Sequence, residues 1–589
     1  MVQMITTFDI GDWLPVRSSA NAECQRARLD FAGCKGPRSG FRVFALALVA
    51  WVVIGGAAAR LEAALTLHEW HGDSPNSSYW DDYRNWLGGV PENLGDRVNL
   101  YSDAARRLNT NNLASGTQFE SINILDSGYN VYGNAVRIGS LTASYPSGSS
   151  TFRPDIQTWG DFRVGVWSNA ATLNLIGDIS LTINDLIVPW YSQGTLNLQG
   201  VIDGSAGILM ESESGDLALT GNGANTFTGP TIVSGGNLRL SRYNLPAFTG
   251  TTAIPGDLAI RYPGTVLLSR NNQIANGAEV NLDYGFLNLD GNSDTVGSIA
   301  GTGLIHLGTN GALTVGGNGR STIYSGAIRG IGNLDKTGNG FLTLNGDYAA
   351  GGSIRVLDGT LRMDHSSTFV APDISVAAGA YLGGRGRVSD VSVAAGGTLD
   401  PGVGSGASLL YATGNVTMAA SSTFRVNLAN RTSFDAIAVG GAVNLGSSRL
   451  TIVPGAGIRI GDSFVIVTKL SAGPVTGTFL GLAERATFVV DYRLFQITYV
   501  GGNGNDVVVT YLAPPSFELS IVPARGSQMQ VGGRGTPGLY YILEATSNLN
   551  PPVTWKPLGT NVADGTGLFS FLDDFSGQTA RRFYRAFSP

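Results

Sequence analysis

Three groups of residues in this 589-residue chain have types and spacings that could do chemistry. The first is "GGNGNDVVVT" at Gly501–Thr510, which fits the calcium-binding nonapeptide pattern G-G-x-G-x-D-x-U-x, with Asp506 in the acidic slot and Val508 in the apolar one. Such sites need stacked copies, because each ion sits between successive turns that share ligands, and one clean copy is present. The stretch reads instead as a hairpin in which Gly502, Asn503 and Gly504 turn between two strands and Asp506 caps the turn. The second group is His68 with His71. Their acidic neighbours Asp73, Asp81 and Asp82 stand at no spacing that defines zinc, and the cysteines, Cys24 and Cys34, lie far upstream, so no metal site is assigned. The third is "HEWHGDSPNSSYWDDYRNWLGG" (His68–Gly89). Its Trp70, Trp80, Tyr83 and Trp86 could stack on sugar rings; the competing role for the same rings is to plug the open end of a stacked fold.

Other candidates are weaker. The chain holds no G-x-S-x-G, no H-E-x-x-H and no phosphate loop. Asp335 with Lys336, and Asp290 with Asp294, are pairs a polysaccharide-cleaving β-helix could use, but each lies beside a turn glycine and reads as a solvated corner. Arg581, Arg582 and Arg585 could meet an anionic polymer; strand alternation makes them instead the exposed partners of an inward Phe583. No catalytic, cofactor or metal residue is assigned.

The elements that must carry these residues are strands. Glycine is abundant at 82 residues, charged residues make up 14% and hydrophobic ones 43%, which excludes a disordered chain. A formal charge of -6 with Lys35, Lys336, Lys469 and Lys556 as the whole set of lysines offers no basic run for nucleic acid. Segments such as "ATLNLIG", "GTLNLQG", "NLRL" and "FLTLNG" are apolar at every second position and are punctuated by Gly, Asn, Asp or Ser. Two stretches match in order, 204–240 and 330–363. Each has an opening Gly, an L-x-L-x-G strand (Leu217, Leu219, Gly221; Leu342, Leu344, Gly346), an aromatic (Phe227; Tyr348) and a closing G-x-L-R-[LM]. A repeat this short cannot bury its own apolar face, so it must stack on the next; the pattern predicts an all-β solenoid.

The segments "GNGANTFTGPTIVSGGNLRL" and "LDKTGNGFLTLNG" resemble the autotransporter-associated β-strand repeat, also called the passenger-associated transport repeat. The first copy departs from it, with Glu211 where the pattern has lysine. The resemblance covers roughly Leu67 to Leu512 and implies a right-handed parallel β-helix in an exported protein, without a specific activity. The chain shows no closing block of amphipathic membrane-barrel strands, so self-transport is not expected.

The organisation that follows begins with an N-terminal extension at 1–40, which either an over-long start or a long n-region of the signal would explain. A signal peptide at 41–59 comes next, with "VFALALVAWVVIGG" (Val43–Gly56) as its apolar core and Ala57-Ala58-Ala59 as the cleavage site. Then come an aromatic N-terminal cap at 60–97, the β-solenoid at 98–512, an "APP" linker at 513–515, and a small C-terminal β-sandwich module at 516–589 built on "FELSIV", "YYILEAT", "WKPLGT", "LFSFLDD" and "RRFYRAF". The expected role is structural or adhesive and non-catalytic, outside the cell or on its outer surface, with surface polysaccharide or other cell-surface components as partners, no nucleic acid and no transmembrane domain in the mature chain. A carbohydrate-binding protein and a β-helix polysaccharide-degrading enzyme are the alternatives.

Overall fold

The computed structural model describes residues 66–365, 372–403, 406–513, 517, 519–526, 528–574 and 581–588. The N-terminal extension and signal peptide of the sequence reading, and both prolines of the "APP" linker, lie outside the described residues.

From Leu67 to Leu512 the chain winds through short strands, most of them paired in parallel with the equivalent strand one turn further on. Alternation is the cause. In Ala170–Leu175 and Thr195–Leu198 every second side chain is buried, and the stacking of turns brings like onto like. Leu173, Leu196, Leu217, Leu238, Val266, Leu287, Ile305 and Ile328 form one in-register column, all buried. A slip of one residue in any turn would send its apolar set to solvent, so the column fixes the register. Polar columns repeat the logic outside: Asn197 Nδ2 donates to Asn174 Oδ1 at 2.9 Å, and Asn123 Nδ2 to Asn99 Oδ1 at 3.0 Å.

A 22-stranded sheet extends from Leu67–Trp70 to Arg449–Pro454. A 12-stranded sheet from Leu108–Asn111 to Tyr348–Ala350 forms the second wall. An 8-stranded sheet from Asp294–Val296 to Val443–Asn444 forms the third. This parallel β-solenoid is the all-β fold that the short repeats predict. The two matched repeats are out of phase by one wall, however. The strand Asp216–Leu219 belongs to the 12-stranded sheet, whereas its counterpart Phe341–Leu344 belongs to the 22-stranded one.

At the C-terminal side a 7-stranded sheet turns antiparallel, and Arg493–Gly501 pairs with Asp506–Leu512. Beyond it are two three-stranded antiparallel sheets. One holds Leu519–Pro523, Gln528–Arg534 and Leu568–Asp574; the other holds Lys556–Val562, Tyr540–Thr546 and Phe583–Phe587. They face each other through Tyr541 and Phe569, stacked at 4.2 Å with planes 9° apart. Gln528–Arg534 is a sixth strand that the sequence reading lacks: Gly532 and Gly533 erase its β-propensity. Leu494 and Leu512 of the solenoid's last sheet pack with Leu539, Tyr541 and Phe569, which joins the module to the solenoid.

Candidate functional site

The aromatic run at the N-terminal end divides into a buried cluster and one exposed ring. Leu67–Trp70 pairs antiparallel with Trp86–Leu87 and parallel with Asp96–Leu100, which brings Trp70 and Trp86 onto the inner face. Trp86 packs edge-on against Trp70 at 5.1 Å and against Trp80 at 5.4 Å. Trp70 and Trp80 are 0% exposed and Trp86 is 7% exposed. Each indole N–H has an acceptor: Arg106 O for Trp70 (2.7 Å), Asn109 Oδ1 for Trp80 (3.0 Å) and Trp80 O for Trp86 (2.7 Å). Rings so enclosed have no face to present to a sugar; they close the first turn. Tyr83, on the 3-10 turn Tyr83–Asn85, is 71% exposed.

The histidines do not converge. His68 is buried, with Nδ1 2.8 Å from Gly89 O and Nε2 3.1 Å from Asp96 Oδ2. His71 stacks on Tyr101 at 5.2 Å. Among the described residues no three His, Cys, Asp or Glu side chains gather as metal ligands. The "GGNGNDVVVT" stretch is a hairpin. Gly501 pairs with Asp506, Gly504 N–H donates to Gly501 O at 2.8 Å, and Asp506 Oδ1 accepts the Lys469 amide at 2.9 Å. Gly502 has φ +57°, and a β-carbon there would lie 1.9 Å from Asp506 Oδ2, so the turn requires glycine.

The two charged pairs read as solvated corners are in part buried, which corrects that reading. Lys336 is 1% exposed and Asp335 is buried beside it. Lys336 Nζ donates to Thr337 O (2.8 Å), Gly338 O (2.7 Å) and Asp358 O (3.2 Å), and burial pushes its pKa down to about 8. Asp335 is ion-paired with Arg355. Asp294 is buried and accepts amides from Gln273 (2.7 Å), Ile274 (3.1 Å) and Thr295 (2.8 Å), while burial pushes its carboxyl up to about 6; Asp290 stays exposed. Arg242, wholly buried, donates to the carbonyls of Gly200, Thr220, Asn222 and Gly223, and burial brings it down to about 10. Lys469 donates to Ser471 O and Ala472 O. Arg242, Lys336 and Lys469 are thus corner clamps that satisfy carbonyls left over where the backbone turns between walls. A shifted pKa in a cleft marks candidate chemistry; here the two shifted cations, Arg242 and Lys336, are spent on backbone. The lysine of "LDKTGNG" is the sequence signal for such a clamp.

In the C-terminal module Arg581 and Arg585 are exposed as the sequence reading has them, whereas Arg582 and Phe583 exchange places. Arg582 and Tyr584 face inward to the buried Asp573: Arg582 Nη2 donates to its Oδ1 at 2.9 Å and the Tyr584 hydroxyl to its Oδ2 at 2.8 Å. Phe583 is exposed with Arg581 and Arg585, and Arg585 lies over Trp555 at 4.6 Å.

Fold and site together define a parallel β-solenoid with sealed ends and an antiparallel end module. No protein-family model matches the chain. A stretch of 192 residues is 30% identical to "Adhesin BmaC autotransporter" of Brucella suis biovar 1 (strain 1330), covering 26% of this chain and 6% of that protein's length. Among solved structures, the Hap adhesin of Haemophilus influenzae aligns over 73% of this chain and 66% of its own, at 10% identity and a TM-score of 0.25. Among the described residues no helix is long and apolar enough to cross a membrane.

Proposed function

We propose that this chain is an exported, non-catalytic adhesive protein displayed at or beyond the outer cell surface, with the solenoid as its display scaffold. The observation that carries the reading is the 30% identity to an adhesin over 192 residues, in a chain whose parallel turns stack from Leu67 to Lys469. The interior supports it: the buried cations Arg242, Lys336 and Lys469 hold corners together instead of facing a cleft. A parallel stack grows by adding turns without changing its cross-section, which suits a scaffold that spaces a contact surface from its anchor.

The test is made on intact cells that produce the full chain. Added protease should degrade the protein without breaking the cells, and deleting its gene should reduce attachment to a polysaccharide- or protein-coated surface. Protection from protease until lysis would overturn export, and unchanged attachment would overturn the adhesive role.

A further inference from the structure

The register of the 22-stranded sheet places one corner of the solenoid in line over eight turns. Val188, Met210, Val233, Ile260, Leu282, Gly301, Tyr324 and Leu344 pair successively. Two residues beyond each, where the chain leaves this wall, stand Trp190, Ser212, Gly235, Tyr262, Tyr284, Gly303, Gly326 and Gly346. The four most exposed aromatic rings among the described residues are Tyr262 (76%), Tyr83 and Tyr284 (71% each) and Trp190 (65%), and three of them fall in this column. Trp167 extends the aromatic surface on the preceding turn; it is exposed and lies 4.9 Å from Tyr191.

Three further features point to a ligand. Tyr284 holds φ +54°, a region that favours glycine, so a large ring is kept where backbone preference argues against one. Past Tyr284 the column becomes glycine. A β-carbon at Gly303, Gly326 or Gly346 would lie 2.3, 2.1 or 2.0 Å from the carbonyl oxygen of the glycine one turn earlier. These bare corners floor an open cleft of about 610 Å3 walled by Tyr284, Arg329 and Asp347. The charges beside the exposed rings are mostly carboxylates, Glu211, Glu213, Asp283 and Asp347 against Arg261 and Arg329, which accept hydrogen bonds from hydroxyls and repel an acidic polymer.

We propose that this corner is a binding track for a neutral polysaccharide lying along the solenoid axis. Aromatic faces carry partial negative charge and attract the C–H faces of pyranose rings, while the flanking carboxylates take the hydroxyls. At about 4.8 Å per turn, the strand ends that carry Trp190 and Tyr284, at Val188 and Leu282, are roughly 19 Å apart, a span that an extended oligosaccharide covers and a single sugar does not. The track deepens the adhesive reading by naming its ligand class and rests on that reading only for its biological setting, since binding by purified protein needs neither export nor cells.

The test is affinity electrophoresis of the purified full chain in gels holding hydroxyethylcellulose or, separately, polygalacturonate. Retardation by the neutral polymer is expected, with affinity falling about tenfold for each of Trp190→Ala, Tyr262→Ala and Tyr284→Ala. The triple variant should migrate freely while its far-ultraviolet circular dichroism stays unchanged, and Tyr83→Ala should bind as the parent does. Free migration of the folded parent in the neutral gel, equal retardation of the triple variant, or preference for polygalacturonate would each overturn the track. Binding by a protein that cells keep inside would sustain the track and overturn the adhesive reading.

Discussion

The two ends of the solenoid solve one problem by different means. A stack of parallel turns leaves an open ladder at each end, which invites pairing with other chains. At the N-terminal end the chain inserts three tryptophans beneath its first turn, where Trp70, Trp80 and Trp86 meet edge to face with every indole N–H satisfied. At the C-terminal end it changes sheet type instead. Arg493–Gly501 and Asp506–Leu512 fold back antiparallel, and the small module packs its Tyr541 and Phe569 against Leu494 and Leu512. The first device is a plug held by packing. The second is a hand-over from a parallel stack to an antiparallel fold, held by hydrogen bonds and a hairpin. The plug should therefore be the more sensitive to loss of one side chain.

Trp80→Ala should break the plug at a cost of about 3–5 kcal/mol, because a wholly buried ring leaves a cavity and Asn109 loses its indole partner. Chemical denaturation followed by tryptophan fluorescence reads this directly. Between the ends, Lys336→Met keeps the stem but removes the ammonium from three carbonyls, with an expected loss of about 2–3 kcal/mol. If it proves neutral, the corner clamp is dispensable. At the C-terminal end Gly502→Ala should cost about 1–2 kcal/mol through its positive φ and the clash with Asp506, and thermal melting should show the loss.

A further effect depends on pH. Burial raises Asp294 from 3.8 to about 6, so over that window the folded chain keeps a proton that the unfolded chain releases. This group contributes stability below about pH 4 that is lost as pH rises through about 6. Calorimetry of the parent and Asp294→Asn across that range should show the slope only in the parent.

Much of the fold was legible because its cause is periodic. Alternation in "ATLNLIG" and "GTLNLQG" gave strands, and the ordered matches between 204–240 and 330–363 gave stacking. Which wall a repeat occupies was not legible, since three walls share one alternation and a phase step between repeats leaves no mark in composition. The same ambiguity hid the burial of Lys336 and Asp294: a charge beside a turn glycine is solvated at an open corner and enclosed where the next turn covers it. In "RRFYRAF" both parities carry aromatics, and Asp573, distant in sequence, decides in favour of Arg582 and Tyr584. The exposed column of Trp190, Tyr262 and Tyr284 did leave a signal, an aromatic beside a proline or glycine corner in "VPW", "RYPG" and "DYG". Only the register of the strands before them shows that the three leave the wall at the same corner.

Hydrogen–deuterium exchange of the full chain, with and without Trp80→Ala, tests most directly whether the ends are closed independently. Independent closure predicts faster exchange that begins at Leu67–Trp70 and Asp96–Leu100, fades over the following turns, and leaves Arg493–Gly501 and Asp506–Leu512 unchanged. Equal acceleration at both ends, or none at the first turns, would contradict it.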